Sequence, residues 1–480
     1  MINLKSKILL VRRSFSGGGN LKSGRGSILI YTAIIMFIFT LVLLGLLSYA
    51  ALELRVTRSA VVDQQAFQIA EAGANYYEWH LAHFPADFWD GNASTTPGPY
   101  AHNYLDTDTQ QVIGTYSLTI TPPTVGSTIV TVQSAGKSLA NPSEVRNVTV
   151  RYGIPSLAQY AFLTNSDAWI GSTENVSGQF FSNGGVRFDG TGNAPIMSAK
   201  STYTCQSWSG SPCPRLENGI WGSAPQATQN FWVFPQPNVD FSSITANLAA
   251  IKSSAQSGGV YLPPSNASGY SLVFKNNGTI DFYTVTSLNN DPSGVDVNGN
   301  THNENIDYQN RSFLYNKAIP ANGVIYIEDQ TWVEGVVKGR ALVAAAVLPY
   351  NAGSAPSIRI QNSITYLAKD GANSLGLIGQ QDVLVTYLSP NNLEIDAALI
   401  AQNGSAQRYY YPGNTLASIN IYGSTASNGT WTWSWVDNNN NCTSGYCATN
   451  TAYDGNLLYA PPPSFPVSPS GYQQISWGSN

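Results

Sequence analysis

The stretch GRGSILIYTAIIMFIFTLVLLGLLSYAALELR (residues 24–55) joins a basic tail to 26 residues, 27–52, that carry no charge. The tail, residues 1–26, holds Lys5, Lys7, Arg12, Arg13, Lys22 and Arg25 and no acid. At 1.5 Å per residue the charge-free run makes roughly 39 Å of helix, enough to cross a bilayer with tilt. It is too long for the apolar core of a secretory signal. The ELRVTRSAVVDQQ that follows has no small-x-small cleavage site. The cationic flank predicts a cytoplasmic N-terminus, with everything after Leu52 on the outer side. A plain signal anchor would satisfy that topology.

The residues beyond the span add to it. Val62, Ala66, Ile69, Gly73, Tyr77 and His80 recur at three- and four-residue steps, one face of a continuing helix. The pattern ends before Pro85, a residue that stops helices. Residues 27–84 therefore predict one rod of roughly 87 Å. Its first half (27–52) is apolar all round and its second half amphipathic. Such a rod suits a bundle of like helices whose outer ends carry globular heads.

Composition bounds the rest. A chain of 480 residues predicts more than one domain. Charged residues make up 11%, against about a quarter in ordinary soluble domains. Gly (43) and Tyr (27) are abundant, which favours short strands and turns. The formal charge of −5 includes the six leader cations, so the remainder is more acidic still. Such a surface gives no reason to expect nucleic acid as a partner.

A basic leader ending in Gly26, a small residue at Ser27, and an unbroken apolar helix running into AFQIAEAGANYYEWHL resemble a type IV pilin precursor. The AEAG within that run is most similar to PilX-type minor pilins. The resemblance implies a prepilin peptidase as partner, cleavage between Gly26 and Ser27, methylation of the new terminus, and packing against other pilin subunits. Shaft pilins carry Glu at the fifth mature position. Here that position is Tyr31, as in tip-type subunits, which implies a low-copy place at a filament tip or in its initiating complex.

After the rod, residues 114–121, 127–136 and 145–152 alternate apolar and polar side chains and are split by turn residues. They predict a small antiparallel head over residues 85–152, packed on the helix. AGKS at residues 135–138 lacks the upstream Gly of a phosphate loop, since that position is Thr131. YGIPS (152–156) reads as a linker.

Residues 156–480 show one helical segment, SSITANLAAIKSSAQ (242–256). Elsewhere short apolar clusters recur, from Ile327 onward roughly every 15–25 residues, the period of solenoid turns. The fold class expected is mainly β with one long N-terminal helix, its large domain a right-handed parallel β-helix. A β-sandwich is the alternative. This part also resembles surface domains attached to PilX-like proteins, which implies architecture and not activity.

Candidate sites are few. Cys205/Cys213 and Cys442/Cys447 lie in Ser/Gly-rich loops of the exported part and predict two local disulfides. Zinc is the rival reading, but the pairs lack the two-residue knuckle. Residues 291–305 offer Asp291, Asp296, Asn298 and Glu304 as oxygen ligands. Gly299 falls at the fourth position of the run from Asp296 and not the sixth, so a hairpin loop is expected over a calcium loop. NGTWTWSWVDNNNNC (428–442) would, as a strand, point Trp431, Trp433 and Trp435 one way. They read either as an exposed platform for sugar rings or a protein partner, or as a cap on the solenoid's end.

No G-x-S-x-G is present, and His80, His83, His102 and His302 are too scattered for a cluster. Glu328, Asp329, Glu334, Asp382, Glu394 and Asp396 could serve glycoside hydrolysis only as a pair facing one cleft. No second motif supports it. The expectation is a membrane-anchored structural and interaction protein at the cell surface, with an unidentified surface ligand, no cofactor and no catalytic residue. A signal-anchored β-helix enzyme acting on surface glycans, or an anchored protein that never polymerises, are the alternatives.

Overall fold

The computed structural model describes residues 27–480 except 95, 97, 438 and 440, and no side chain at 27 or 243–247. The leader and Gly26 lie outside the described residues. Ser27 opens a single 57-residue helix, Ser27–His83, about 85 Å long. Residues 28–61 are exposed throughout, with Ile28, Met36 and Phe39 each about two-thirds bare or more. The helix is long and apolar enough to cross a membrane. Its second half is docked. Ala66, Ile69, Tyr77 and His80, all on the face read from the sequence, are buried, together with Ala70, Ala74 and Leu81.

They dock on a five-stranded antiparallel sheet ordered Tyr100–Leu105, Val112–Thr121, Ile129–Ser138, Val145–Gly153 and Gln473–Ser479. Leu118, Val130, Val132, Val148 and Val150 alternate toward the helix and complete its core. Each such side chain contributes about 1.5–3 kcal/mol. Helix and sheet approach closely because Gly136 has no side chain. A Cβ there would overlap Ala70 N and Ala66 O of the helix backbone. Arg146 pairs with Asp63 across the seam, Nη2 to Oδ2 at 2.7 Å.

Two strands of this sheet differ from the expected three. Tyr100–Leu105 adds one edge. The other edge is the chain's own C-terminal strand, in register with Val145–Gly153 (Trp477 opposite Val150). The small head therefore does not end at residue 152, and the large region does not own residues 473–479. Arg340 Nη2 fastens the two regions by donating to Gly126 O (2.7 Å), Ala460 O (2.6 Å) and Pro461 O (2.6 Å).

The large region is built on parallel pairing, unlike an antiparallel sandwich. One ladder runs Val260, Ile325, Val343, Leu377, Leu399, Thr425, Phe162, Phe180, Ile196, Trp232, each opposite the next. A second runs Gly335, Ile364, Ile395, Ile421, Thr451, Val176, Gly192. A third stacks Thr331–Val337, Ile358–Ile360, Val383–Val385 and Ala406–Gln407. Their inward side chains form one apolar core.

The ladder order is not the chain order. The chain enters the stack in the middle, at Phe162–Thr164, and builds outward to Trp232–Val233. It then returns to the far end and builds back until Thr415–Ser427 meets its own first strand. The return must cover nine spacings of about 4.8 Å, roughly 43 Å. The helix Ser242–Gly258 supplies about 25 Å of it, and the extended residues before it supply the rest. Leu248, Ile251 and Ala255 of that helix pack against Val324 and Tyr326.

Candidate functional site

The tryptophan-rich stretch lies where the first and last parts of the stack meet. Gln407 bridges Thr432 on one side, and Ser166 Oγ lies 2.9 Å from Thr430 Oγ1 on the other. Trp431 is 6% and Trp433 1% exposed, with rings edge to face at 6.3 Å. Trp431 also meets Phe162 at 4.6 Å. This corrects both expectations. The three indoles form neither an exposed platform nor a cap on the stack's end. Alternation does put Trp431 and Trp433 on one face, but that face is turned into the apolar core of the large region. Trp435, half-buried, has moved onto a separate strand, Ser434–Val436, and donates from Nε1 to Arg408 O at 3.0 Å.

The cysteines pair locally. Cys205–Cys213 spans 5.6 Å between Cα atoms and Cys442–Cys447 spans 5.4 Å. No thiol is left for a four-thiolate zinc site. The first bridge closes a loop that carries Trp208 on a short 3-10 turn, Ser207–Ser209. Arg187 anchors that loop, donating from Nη1 to Ser209 O at 2.5 Å and Ser211 O at 3.0 Å. The two bridges close loops of sequence separation 8 and 5. Replacing either pair by serines is expected to cost about 2–2.5 kcal/mol in urea denaturation. Unchanged midpoints would show that the bridges leave the unfolded chain unconstrained.

Between these segments lies a cavity of about 320 Å³. Trp169, Trp208, Trp431, Trp433 and Trp435 line it together with Glu174. Trp169 sits on Ala168–Ile170, which pairs in parallel with Val186–Phe188 so that Trp169 stands opposite Arg187. The Arg187 guanidinium covers its ring at 4.7 Å. Asp189 Oδ2 accepts from Trp169 Nε1 (2.9 Å) and Arg187 Nε (2.7 Å), and Oδ1 accepts from Ser223 N (2.7 Å) and Oγ (2.8 Å). Burial would lift the Asp189 pKa. The donors from Ser223 and Trp169 and the Arg187 charge outweigh it and hold the carboxyl below the usual range. Asp189 thus fixes the Trp169 indole and has no lone pair to spare.

Glu174 is the opposite case. It is 9% exposed, and its Oε2 has no hydrogen-bond partner. Burial pushes its pKa up to about 8, against a small lowering by the Gly171 N–H. Neither Trp169 nor Glu174 stands out in the sequence. Trp208 does, as the aromatic residue inside the first disulfide loop.

The other acids are occupied. Glu328 takes Lys252 Nζ (2.5 Å) and Tyr261 Oη, Glu334 takes Arg311 Nη1, and Asp396 takes Lys369 Nζ and Tyr366 N. Asp329 accepts from Ser265, and Asp382 from Ser405 N and Gln407 Nε2. Glu394 is exposed. Residues 291–305 form a hairpin, Gly294–Val295 against Thr301–His302. Asp296 there accepts from Asn298 N, Asn300 N and His302 Nε2, so its oxygens are committed to nitrogen donors.

No protein-family model matches this chain, and no curated protein matches it. Among solved structures, the crystal structure of the competence-associated pilin ComZ from Thermus thermophilus aligns over 87% of this chain and 97% of that one, with 12% identity and a TM-score of 0.34. A likeness of that size fixes neither a shared fold nor a shared role.

Proposed function

We propose that this chain is a PilX-like minor pilin, a membrane-inserted structural subunit that displays a large surface domain and carries out no catalysis. The observation that carries the reading is the division of one helix. Residues 28–61 are bare, and 28–52 of them carry no charge, while the same helix from Ala66 to Leu81 packs into the core of a small antiparallel sheet. A membrane anchor alone needs no such continuation. A subunit that packs its apolar half among like helices and carries a head on the other half does. The basic leader stays cytoplasmic, a prepilin peptidase cuts between Gly26 and Ser27, and the head lies outside the cell.

In this reading the parallel ladders close into a right-handed solenoid of three sheets. A head of that size, added to the small sheet, would collide with its copies at every shaft position. Tyr31 stands where a shaft subunit would carry a carboxylate, and a buried carboxylate in the bilayer needs a partner such as a neighbour's terminal amine. Both features favour the tip or the initiating complex.

The test is the mature terminus. Intact-mass measurement is expected to find a chain starting at a methylated Ser27, and Gly26→Phe is expected to leave all of it full length in the membrane. Met1 retained in the wild-type assembled protein would remove the pilin reading. Immunogold label on the head is expected at filament ends, and regular label along the shaft would remove the tip assignment.

A further inference from the structure

The tryptophan-lined cavity has the size of a small ligand site, at the lower end of the roughly 300–1,000 Å³ such sites occupy. We propose that it binds a neutral saccharide, with a pyranose ring against the half-buried indoles of Trp169, Trp208 and Trp435 and its hydroxyls toward Glu174. The proposal goes beyond the pilin reading and does not depend on it.

Three observations select this chemistry. The first is the set of half-buried indoles in the wall, Trp169, Trp208 and Trp435. Indole faces carry negative quadrupole density, which suits the weakly positive C–H face of a pyranose. Thr430 Oγ1 and Thr432 Oγ1 are spent on Ser166 Oγ and Ser434 O, so the polar contact in this wall that an apolar ligand would waste is Glu174.

The second is charge. Among the described residues no Lys, Arg or His lines the cavity, since Arg187 lies over Trp169 and is spent on Asp189 and the disulfide loop. An anion, whether phosphate, sialic acid or uronic acid, would meet three carboxyl groups and no cation there. A quaternary ammonium is held best where an aromatic cage also carries a free carboxylate, and without one it must rely on cation–π attraction alone, so choline is the competing ligand in the test. Asp189 has four donors already, Asp437 is taken by Asn439 N, Asn441 N and Asn441 Nδ2, and burial keeps Glu174 protonated at neutral pH.

The third is the unpartnered Glu174 Oε2. A buried polar atom without a partner is uncommon and costly, and here it belongs to a residue that lines a cavity. As a neutral acid Glu174 both donates and accepts, which matches a sugar hydroxyl.

The site is also built to be rigid. Trp169 is clamped by Asp189 and Arg187, Trp208 by a disulfide loop, and Trp435 by Arg408 O. Little ordering remains to oppose binding.

The test uses the full chain in a polyoxyethylene detergent free of sugar and choline groups. Tryptophan fluorescence is followed during titration with glucose, galactose, mannose, N-acetylglucosamine and their linear trimers, with choline and inorganic phosphate as controls. At least one saccharide is expected to give a saturable change with half-saturation at about 1 mM or below. Trp208→Ala is expected to weaken it at least tenfold, and Glu174→Leu, which removes both donor and acceptor, several-fold with the fold intact by circular dichroism. Three results would overturn the proposal: no saturable saccharide response up to about 50 mM, well above the expected range; binding of choline or phosphate in place of sugar; or saccharide binding that neither substitution changes. None of these bears on cleavage at Gly26, so the two readings fail separately.

Discussion

Gly136→Val is expected to separate the rod helix from its sheet, at a cost of at least about 3 kcal/mol, the upper end for overpacking. A Cβ at Gly136 would overlap Ala70 N and Ala66 O. Both are helix backbone, and neither can rotate aside. Gly114 is gentler only in part, because a Cβ there meets one backbone atom, Lys137 O at 2.6 Å, besides the Cδ1 of Ile69, and alanine adds no more than that Cβ. The predicted order is therefore Gly136→Val worst, Gly114→Ala intermediate, and Gly478→Ala neutral, since a Cβ at Gly478 meets nothing within 4 Å. The readouts are the urea midpoint of the full chain in detergent and the rate of protease cleavage after Phe84. A Gly136→Val protein that unfolds with the wild type would show that the helix is not held where the structure places it.

That glycine also shows what the sequence could and could not convey. AGKS invited comparison with a phosphate loop, and only its incompleteness ruled that out. Its actual meaning, a gap for a helix 66 residues upstream, has no local signature. The rod was legible because its buried face repeats every 3.6 residues within one element. The strands 114–121, 127–136 and 145–152 were legible because alternation and turns are local too. The closing strand Gln473–Ser479 was not, since it joins the sheet from the far end of the chain. Apolar spacing announced recurring short strands, but not which strand pairs with which. Parallel pairing needs no hairpin, so nothing near Phe162 says that its neighbour is Thr425. The helix Ser242–Gly258 was read correctly as a helix, while its task of carrying the chain from one end of the stack to the other follows only from that order.

The candidate site follows the same rule. The spacing of Trp431, Trp433 and Trp435 was plain, and so was their sidedness. Which side faces the core depends on the turn stacked above, whose residues lie more than 250 positions earlier. Trp169, Glu174 and Trp208 join them from that earlier stretch. No window of sequence holds the cavity, so no motif could have named it.

Glu174→Gln is expected to stabilise the protein at pH 8 by roughly 4 kcal/mol and to change little at pH 4. The group is buried, and its folded pKa is raised to about 8 from 4.5. Between those values the folded chain holds a proton that the unfolded chain has released. Stability tied to Glu174 therefore falls as pH rises from about 4.5 to about 8, at about 1.4 kcal/mol per unit, and is level outside that window. Asp189 acts with the opposite sign. Its pKa is depressed, so its contribution is present above the ordinary carboxylate range and is lost on the acid side. The two windows do not overlap, which lets one substitution be read cleanly. Glutamine keeps the shape and can still accept from the Gly171 N–H, but it has no proton to lose. Urea midpoints of wild type and variant should converge near pH 4 and diverge steadily toward pH 8. Parallel curves across that range would mean that Glu174 is ionised in the folded chain, and its Oε2 would then need a donor that the structure does not show.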